Sequence, residues 1–265
     1  MQYFGQISKM KTTLSNPVDY ILPVGEKTIN INSLIGSDIC IKFDGEIKCI
    51  ECSKKINKTY MQGYCYPCFI SLPQTEDCVF KPHLCRAHKG QARDMAWAKK
   101  NCLSTTYVYL SLTSNLKVGV TRANHIPSRW IDQGAHYAIK LAETPNRYLA
   151  GMIELQLSKH MSDRTKWRQM IQGKYDMVDL IKKKNDLYKF IPDEYIKYLV
   201  VDNDLIKFDY PMILTPEKIK SFNFNKNNEI SGKLTGIKGQ YIIIDNEIVI
   251  NIRKYTGYYF LITHD

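Results

Sequence analysis

Two cysteine pairs, Cys49-Ile-Glu-Cys52 and Cys65-Tyr-Pro-Cys68, stand twelve residues apart in this chain. Each pair can grip one ion from a tight backbone knuckle, and the residues between are enough for a small hairpin that brings the knuckles together. Four thiolates in a tetrahedron suit zinc, a borderline-soft ion with no geometric preference of its own. Thiol–disulfide exchange is the competing chemistry for such pairs, but two of them at ribbon spacing in a lysine-rich context favour a structural metal. A closed site of four cysteines is scaffold, not catalyst. A second group follows, with Cys78, Cys85, His88 and Cys102 as three thiolates and one imidazole and His83 as a spare donor. Isolated buried cysteines are the alternative there, so the expected complement is one or two zinc ions.

The next stretch, Thr106 to Trp130, combines polar residues that a plain hairpin does not need. Residues 105–113 and 116–122 read as strands joined at Ser114-Asn115, and the second carries Lys117-Val-Gly119 and ends on Arg122. Residues 126–134 read as a short helix with Pro127 at its first position, and 137–143 as a strand. A helix is expected over 145–160 with Thr144 as its N-cap. On it Leu149, Met152, Ile153 and Leu157 share an apolar face, with Arg147 and Glu154 on the opposite, polar one. The order is β-β-α-β-α.

That order and its residues resemble the GIY-YIG nuclease superfamily. Tyr107-Val-Tyr109 stands where the first tripeptide would be, Lys117-Val-Gly119 where the second would be, with Lys117 replacing a tyrosine; Arg129 matches the helix-borne arginine and Glu154 the glutamate. The resemblance implies that Tyr109 and Lys117 flank a scissile phosphate, that Arg129 steadies its charge, and that Glu154 holds a divalent Mg or Mn ion. Phosphodiester cleavage does require an activated water, a cation on the phosphate oxygens and a donor matched to the anion. Over nearly its whole length the chain also resembles a bacterial family of domains of unknown function, number twenty-seven ninety-seven. The runs QGYCYPCF, KVGVTR, IPSRWIDQGA and DRTKWRQM carry that likeness. It brings no activity, but it places the zinc ribbon and the nuclease-like segment in one architecture.

Five segments position these groups: an N-terminal β-module (1–48), a zinc-binding region (49–102), the GIY-YIG-like α/β domain (103–172), a helical or linker region (173–228) with a short helix near 176–185, and a C-terminal β-module (229–265). The two ends resemble each other. DYILPVGEKTININSLIGSDICIKF overlays QYIIIDNEIVINIRKYTGYYFLIT, and Gly5-Gln-Ile-Ser-Lys-Met10 overlays Gly232-Lys-Leu-Thr-Gly-Ile237. Separate modules would each expose strand edges, so they are expected to pack together into one small barrel or sandwich. The fold class is therefore α+β.

Charge narrows the function. With a net charge of +11 over 265 residues, a polyanionic partner is expected, because each phosphate neutralised by Lys or Arg releases a counterion. Arg122, Arg164, Lys166, Trp167 and Arg168 are candidate nucleic-acid contacts, with Trp167 either stacking on a base or tucked into the core. Trp130 is expected in the core; Asp132, Gln133 and Gly134 either end its helix or line a groove beside Arg129. The N-terminus has no signal-peptide stretch and no segment reaches membrane-span length, so a cytoplasmic protein with reduced cysteines is expected. Three readings remain: a nuclease on DNA or RNA, a nucleic-acid-binding protein that does not cleave, and an interaction scaffold.

Overall fold

The computed structural model describes residues 1–161 and 165–265; Arg164 lies outside them. It is a mixed α+β fold that divides into two compact units. The first comprises Met1–Ile70, Ile131–Gly134 and Phe208–Asp265, the second Ser71–Trp130 and Ala135–Lys207.

The chain begins with β1 (Gln2–Gln6), β2 (Lys11–Thr13), β3 (Asp19–Val24), β4 (Lys27–Asn30), a 3-10 turn (Ile31–Leu34) and the long β5 (Asp38–Ile47). After the cysteine knuckles and α1 (Tyr66–Ser71) it enters the second unit, which runs from α2 (Met95–Asn101) through β6 (Thr106–Leu112), β7 (Leu116–Arg122), α3 (Ser128–Asp132) and β8 (Tyr137–Thr144) to α4 (Arg147–Leu157). Then come α5 (Trp167–Ile171), α6 (Leu180–Tyr188), α7 (Asp193–Ile196) and β9 (Ile206–Lys207). It returns to the first unit with β10 (Lys220–Ser221), β11 (Glu229–Lys238), β12 (Tyr241–Ile244), β13 (Ile248–Asn251), a 3-10 turn (Ile252–Tyr255) and β14 (Tyr258–His264).

The two ends of the chain fold alike. Tyr20 and Tyr241 open equivalent strands, Asn30 and Asn251 precede equivalent 3-10 turns, and Gly36 and Gly257 follow them at φ 92° and 97°. Gly5 and Gly232 share φ 157°, and a Cβ on them would meet Gly25 at 2.7 Å and Asp245 at 2.4 Å, residues of the turns after β3 and β12. The halves join through β5 and β14, paired antiparallel with Ile41 opposite Ile262, and these carry β11 and β1 on their outer edges. One seven-stranded sheet results, in the order β1-β14-β5-β11-β12-β13-β10. A closed barrel does not form. The sheet ends on β1 and on the two-residue β10, while β2-β3-β4 is a separate sheet touching β1 through the single bridge Ile7–Val24.

The first unit buries an unusual charge. Lys238, in the β11–β12 turn, is 1% exposed, with its ammonium 5.2 Å from the Tyr210 ring centre. Burial pushes its pKa down to about 7. The unfolded lysine keeps a proton that the folded one has shed between pH ~7 and ~10, so stability rises with pH across that window and is lost as pH falls through 7. Tyr20 and Tyr210, raised first by burial, do not ionise there. Thermal denaturation should show roughly 2 kcal/mol gained between pH 7 and 9. Lys238→Met should be more stable at pH 7 and lack that rise; an unchanged pH profile would refute the assignment.

In the second unit the sheet order is β7-β6-β8-β9. Val108, Leu110 and Leu112 alternate along β6 and meet Ala150, Ile153 and Leu157 of α4 in one core, the periods of 2 and 3.6 that let a strand and a helix share a face. The expected cap is corrected. Asn146, not Thr144, caps α4, accepting from the Leu149 amide at 3.0 Å, because Thr144 ends β8 and donates its hydroxyl to the Thr106 carbonyl. The expected short helix near 176–185 starts later, at Leu180 behind the Asp179 cap. No helix among the described residues is long and apolar enough to cross a membrane.

Candidate functional site

In the cysteine knuckles, chain geometry does what the spacing asks. Lys48–Lys55 and Tyr60–Tyr64 bridges make two tiny hairpins. Ser53 (φ 56°) closes the first knuckle, its amide donating to the Cys49 carbonyl at 3.0 Å; Met61, Gln62 and Gly63 turn the chain left-handed before the second. The sulfurs of Cys49, Cys52, Cys65 and Cys68 all lie within 4.8 Å of one another, and Cys52 and Cys65 are 3.7 Å apart. Thiolates at 2.3 Å from a tetrahedral zinc would be separated by ~3.8 Å, so this donor set fits that ion. At Cys49 burial, which raises the pKa, is outweighed by the Cys52, Cys65 and Glu51 amides, and it falls to about 6. A sulfur already anionic at neutral pH binds a metal without first having to lose a proton.

The second group contains three sulfurs, of Cys78, Cys85 and Cys102, again within 4.8 Å. Hydrogen bonds from Cys102 and Cys78 push the Cys85 thiol down to about 2, and Cys78 rises in return. The His88 nitrogens are not among those mutually close atoms. The turn Ala87–Lys89 sends the imidazole outward, stacked on Tyr148 with centroids 4.3 Å apart. His83 and His88 instead line, with the three cysteines and Tyr148, an open cavity of about 600 Å³. Three thiolates beside an open position fit zinc with an exchangeable fourth ligand.

Helix α4 holds this group. Arg147 was expected on a solvated face. It is buried, donating from Nε to the Cys78 carbonyl at 2.7 Å and from its other nitrogen to Val79 at 2.9 Å, and its amide donates to the Cys102 carbonyl at 2.8 Å. The helix therefore buries two stripes, one on the sheet and one on the cysteine segment.

The hairpin explains its own glycine. Tyr109 pairs with Gly119 across β6 and β7, and a Cβ at 119 would lie 2.6 Å from the Tyr109 hydroxyl. The ring is 1% exposed, wedged against Trp130 with centroids 5.7 Å apart. Lys117 pairs with Ser111 and so projects from the same face as Tyr109; its Nζ donates to the Thr165 hydroxyl at 3.0 Å. The Trp130 contact puts α3, with half-buried Arg129, on that face also. Glu154 sits on α4, whose Ala150, Ile153 and Leu157 pack on the Val108–Leu110–Leu112 face of the sheet, opposite in pleat to Tyr109.

A family model described as a protein of unknown function (DUF2797) matches residues 36–260. The chain belongs to the DUF2797 family. No curated protein and no solved structure matches it. The DUF2797 span takes in both cysteine groups and the whole β6-to-α4 segment.

The candidates Lys166, Trp167 and Arg168 open α5 beside the β6–β7 turn, where the Lys166 amide donates to the Ser114 hydroxyl at 2.8 Å. Arg122 is half-buried and donates to the Asn101 carboxamide, its pKa lowered first by burial and then by Arg147. Trp167 carries the Arg168 guanidinium 4.5 Å over its ring, while Lys166 is exposed. Asp132 belongs to the first unit, where it accepts from Lys9 and Gln240, each at 2.8 Å. Reading the sequence missed the cations surrounding the second metal group. Lys81, Arg86, Lys89, Arg93, Lys99 and Lys100 are all exposed; the one acid within residues 78–102 is Asp94, which caps α2, while Glu76 and Asp77 line the adjoining cavity and Glu76 accepts from the Arg93 amide at 2.8 Å. Their signal was the local charge of residues 78–102.

Proposed function

We propose that this DUF2797 chain is a metal-stapled nucleic-acid-binding protein that does not itself cleave. The observation that carries it is the set of cations Arg86, Lys89 and Arg93 lining the cavity beside the three-cysteine centre, with exposed Lys81, Lys99 and Lys100 on the same segment. A segment tied inward by its cysteine cluster and Arg147 turns its lysines and arginines to solvent, where phosphates can displace their counterions. The β6-β7-α3-β8-α4 order, the Tyr109–Gly119 pair and Lys117 support a GIY-YIG-like domain. The burial of Tyr109 and the position of Glu154 on the helix across the sheet argue against the cleaving form of that domain.

The test is binding of labelled single-stranded and duplex DNA and RNA across a salt series. If all six cations engage, affinity should fall about a thousandfold between roughly 50 and 200 mM salt. A flat salt profile, or no binding to any of the four, would sink the reading. Incubation with Mg²⁺ or Mn²⁺ should give no products. Cleavage that disappears in Glu154→Gln would instead establish the nuclease.

A further inference from the structure

The first unit has an open groove of about 950 Å³ that the metal centres and the GIY-YIG-like segment do not use. Its lining includes Phe43 of β5 and Phe222 after β10, both half-buried. One wall is the ribbon stretch Lys55–Asn57, between the metal-binding knuckles; the other is the loop Phe222-Asn-Phe-Asn-Lys-Asn-Asn228.

That loop is rigid for stated reasons. Phe224 is buried, edge-on to Tyr255 at 5.1 Å and to Phe260 at 4.7 Å, and its amide donates to the Tyr255 hydroxyl. The Asn223 side chain accepts from the Asn225 amide at 3.0 Å, and the Asn223 carbonyl from the Lys226 and Asn227 amides. Asn228 accepts from the Phe43 amide at 2.7 Å. What the loop presents is the opposite of its anchor: the side chains of Lys226, Asn227 and Asn228 are exposed and make no hydrogen bond or ion pair among the described residues.

We propose that this groove takes unpaired nucleobases of a single-stranded nucleic acid. Phe222 and Phe43 offer π-faces, which stack on any base. Each asparagine amide carries a donor and an acceptor, the pair that a base edge displays. Lys226 and Lys55, the latter 3.9 Å from Glu46, are the lining cations that phosphates would meet, beside exposed Asp44. Glu229, also in the lining, is already paired with Lys42 at 3.3 Å. A volume near 950 Å³ is at the upper end for small-molecule sites and has room for nucleobases. The inference rests on the nucleic-acid-binding reading above and assigns to it a second surface, specific to unpaired strands.

The probes are fluorescein-labelled oligothymidylate and oligoadenylate, a blunt DNA duplex, and AMP as competitor, read by anisotropy. Phe222→Ala should weaken single-strand binding about tenfold or more, leave duplex binding unchanged and be rescued by Phe222→Tyr. Because Phe222 touches Phe224, Lys226→Ala with Asn227→Ala provides a second arm that removes no packing; it too should lose single-strand affinity selectively. AMP displacing the strand means a single nucleotide fills the groove. Strand binding lost in both variants without AMP displacement means that a chain of bases is required. If the wild-type protein binds single strands and both variants match it, the groove is refuted while nucleic-acid binding stands. Absence of binding to every probe refutes the shared reading, and the groove with it.

Discussion

Cys49→Ser should release one of two zinc equivalents and open the 49–70 segment, leaving the three-cysteine centre loaded. From residue 49 to 71 only Cys49, Gly63 and Cys65 are buried. The segment has two isolated bridges and α1, a helix with no buried residue. No apolar core is available to replace the metal, so the tetrahedron is the core, as in small zinc modules whose binding free energy of about 10–16 kcal/mol is their folding free energy. Serine stays protonated at neutral pH and is a poor ligand. Its effect should exceed the ~10–100-fold that changes outside the ligand shell cost in metal affinity. Zinc content by mass spectrometry and limited proteolysis read the two halves of the claim. Two equivalents retained, or a proteolytic pattern unchanged after one is lost, would show that the knuckles stand without their ion.

Much of this was legible in the sequence where the signal was local. The C-x2-C pairs set their own geometry, since the knuckle residues are neighbours in the chain. The internal repeat was legible because Gly36 and Gly257 serve the same left-handed turn in both copies. The sheet joining the two copies followed from the need to cover strand edges. What could not be read was anything depending on which surface meets which. A single apolar stripe on α4 hid the second one, because its contacts are made by an arginine and a glycine rather than by leucines. Sequence spacing likewise grouped His88 with Cys78, Cys85 and Cys102; it lines the same cavity, but the direction its 3-10 turn gives the ring, here onto Tyr148, is not in the spacing. Motif order alone grouped Glu154 with Tyr109, and it carries no information on the pleat that turns Tyr109 and the α4-facing Val108 to opposite faces.

One sequence signal did point to the hidden stripe. Gly151 sits mid-helix, where glycine costs ~1 kcal/mol relative to alanine, and such a position needs a reason. The structure supplies it: a Cβ there would lie 2.2 Å from the His83 nitrogen, 2.4 Å from the Pro82 carbonyl carbon and 2.8 Å from the His83 Cα. These are backbone atoms, held by the turn Pro82–Leu84, and they cannot swing aside as a side chain would. Gly151→Ala should therefore reverse the usual sign of that substitution, gaining ~1 kcal/mol of propensity but losing more to overpacking, for a net destabilisation of about 2 kcal/mol or more. The displaced turn leads directly into Cys85, whereas Cys78 and Cys102 remain tied to Arg147. The three sulfurs should be pulled out of register, and cobalt titration should show weakened binding at this centre with the four-cysteine centre unaffected. Leu155→Ala, on the exposed side of the same helix, is the control that should leave metal binding alone. A Gly151→Ala protein that melts higher than wild type would mean that α4 does not press on the turn. One that melts lower yet titrates normally would mean that helix packing and the metal centre are uncoupled.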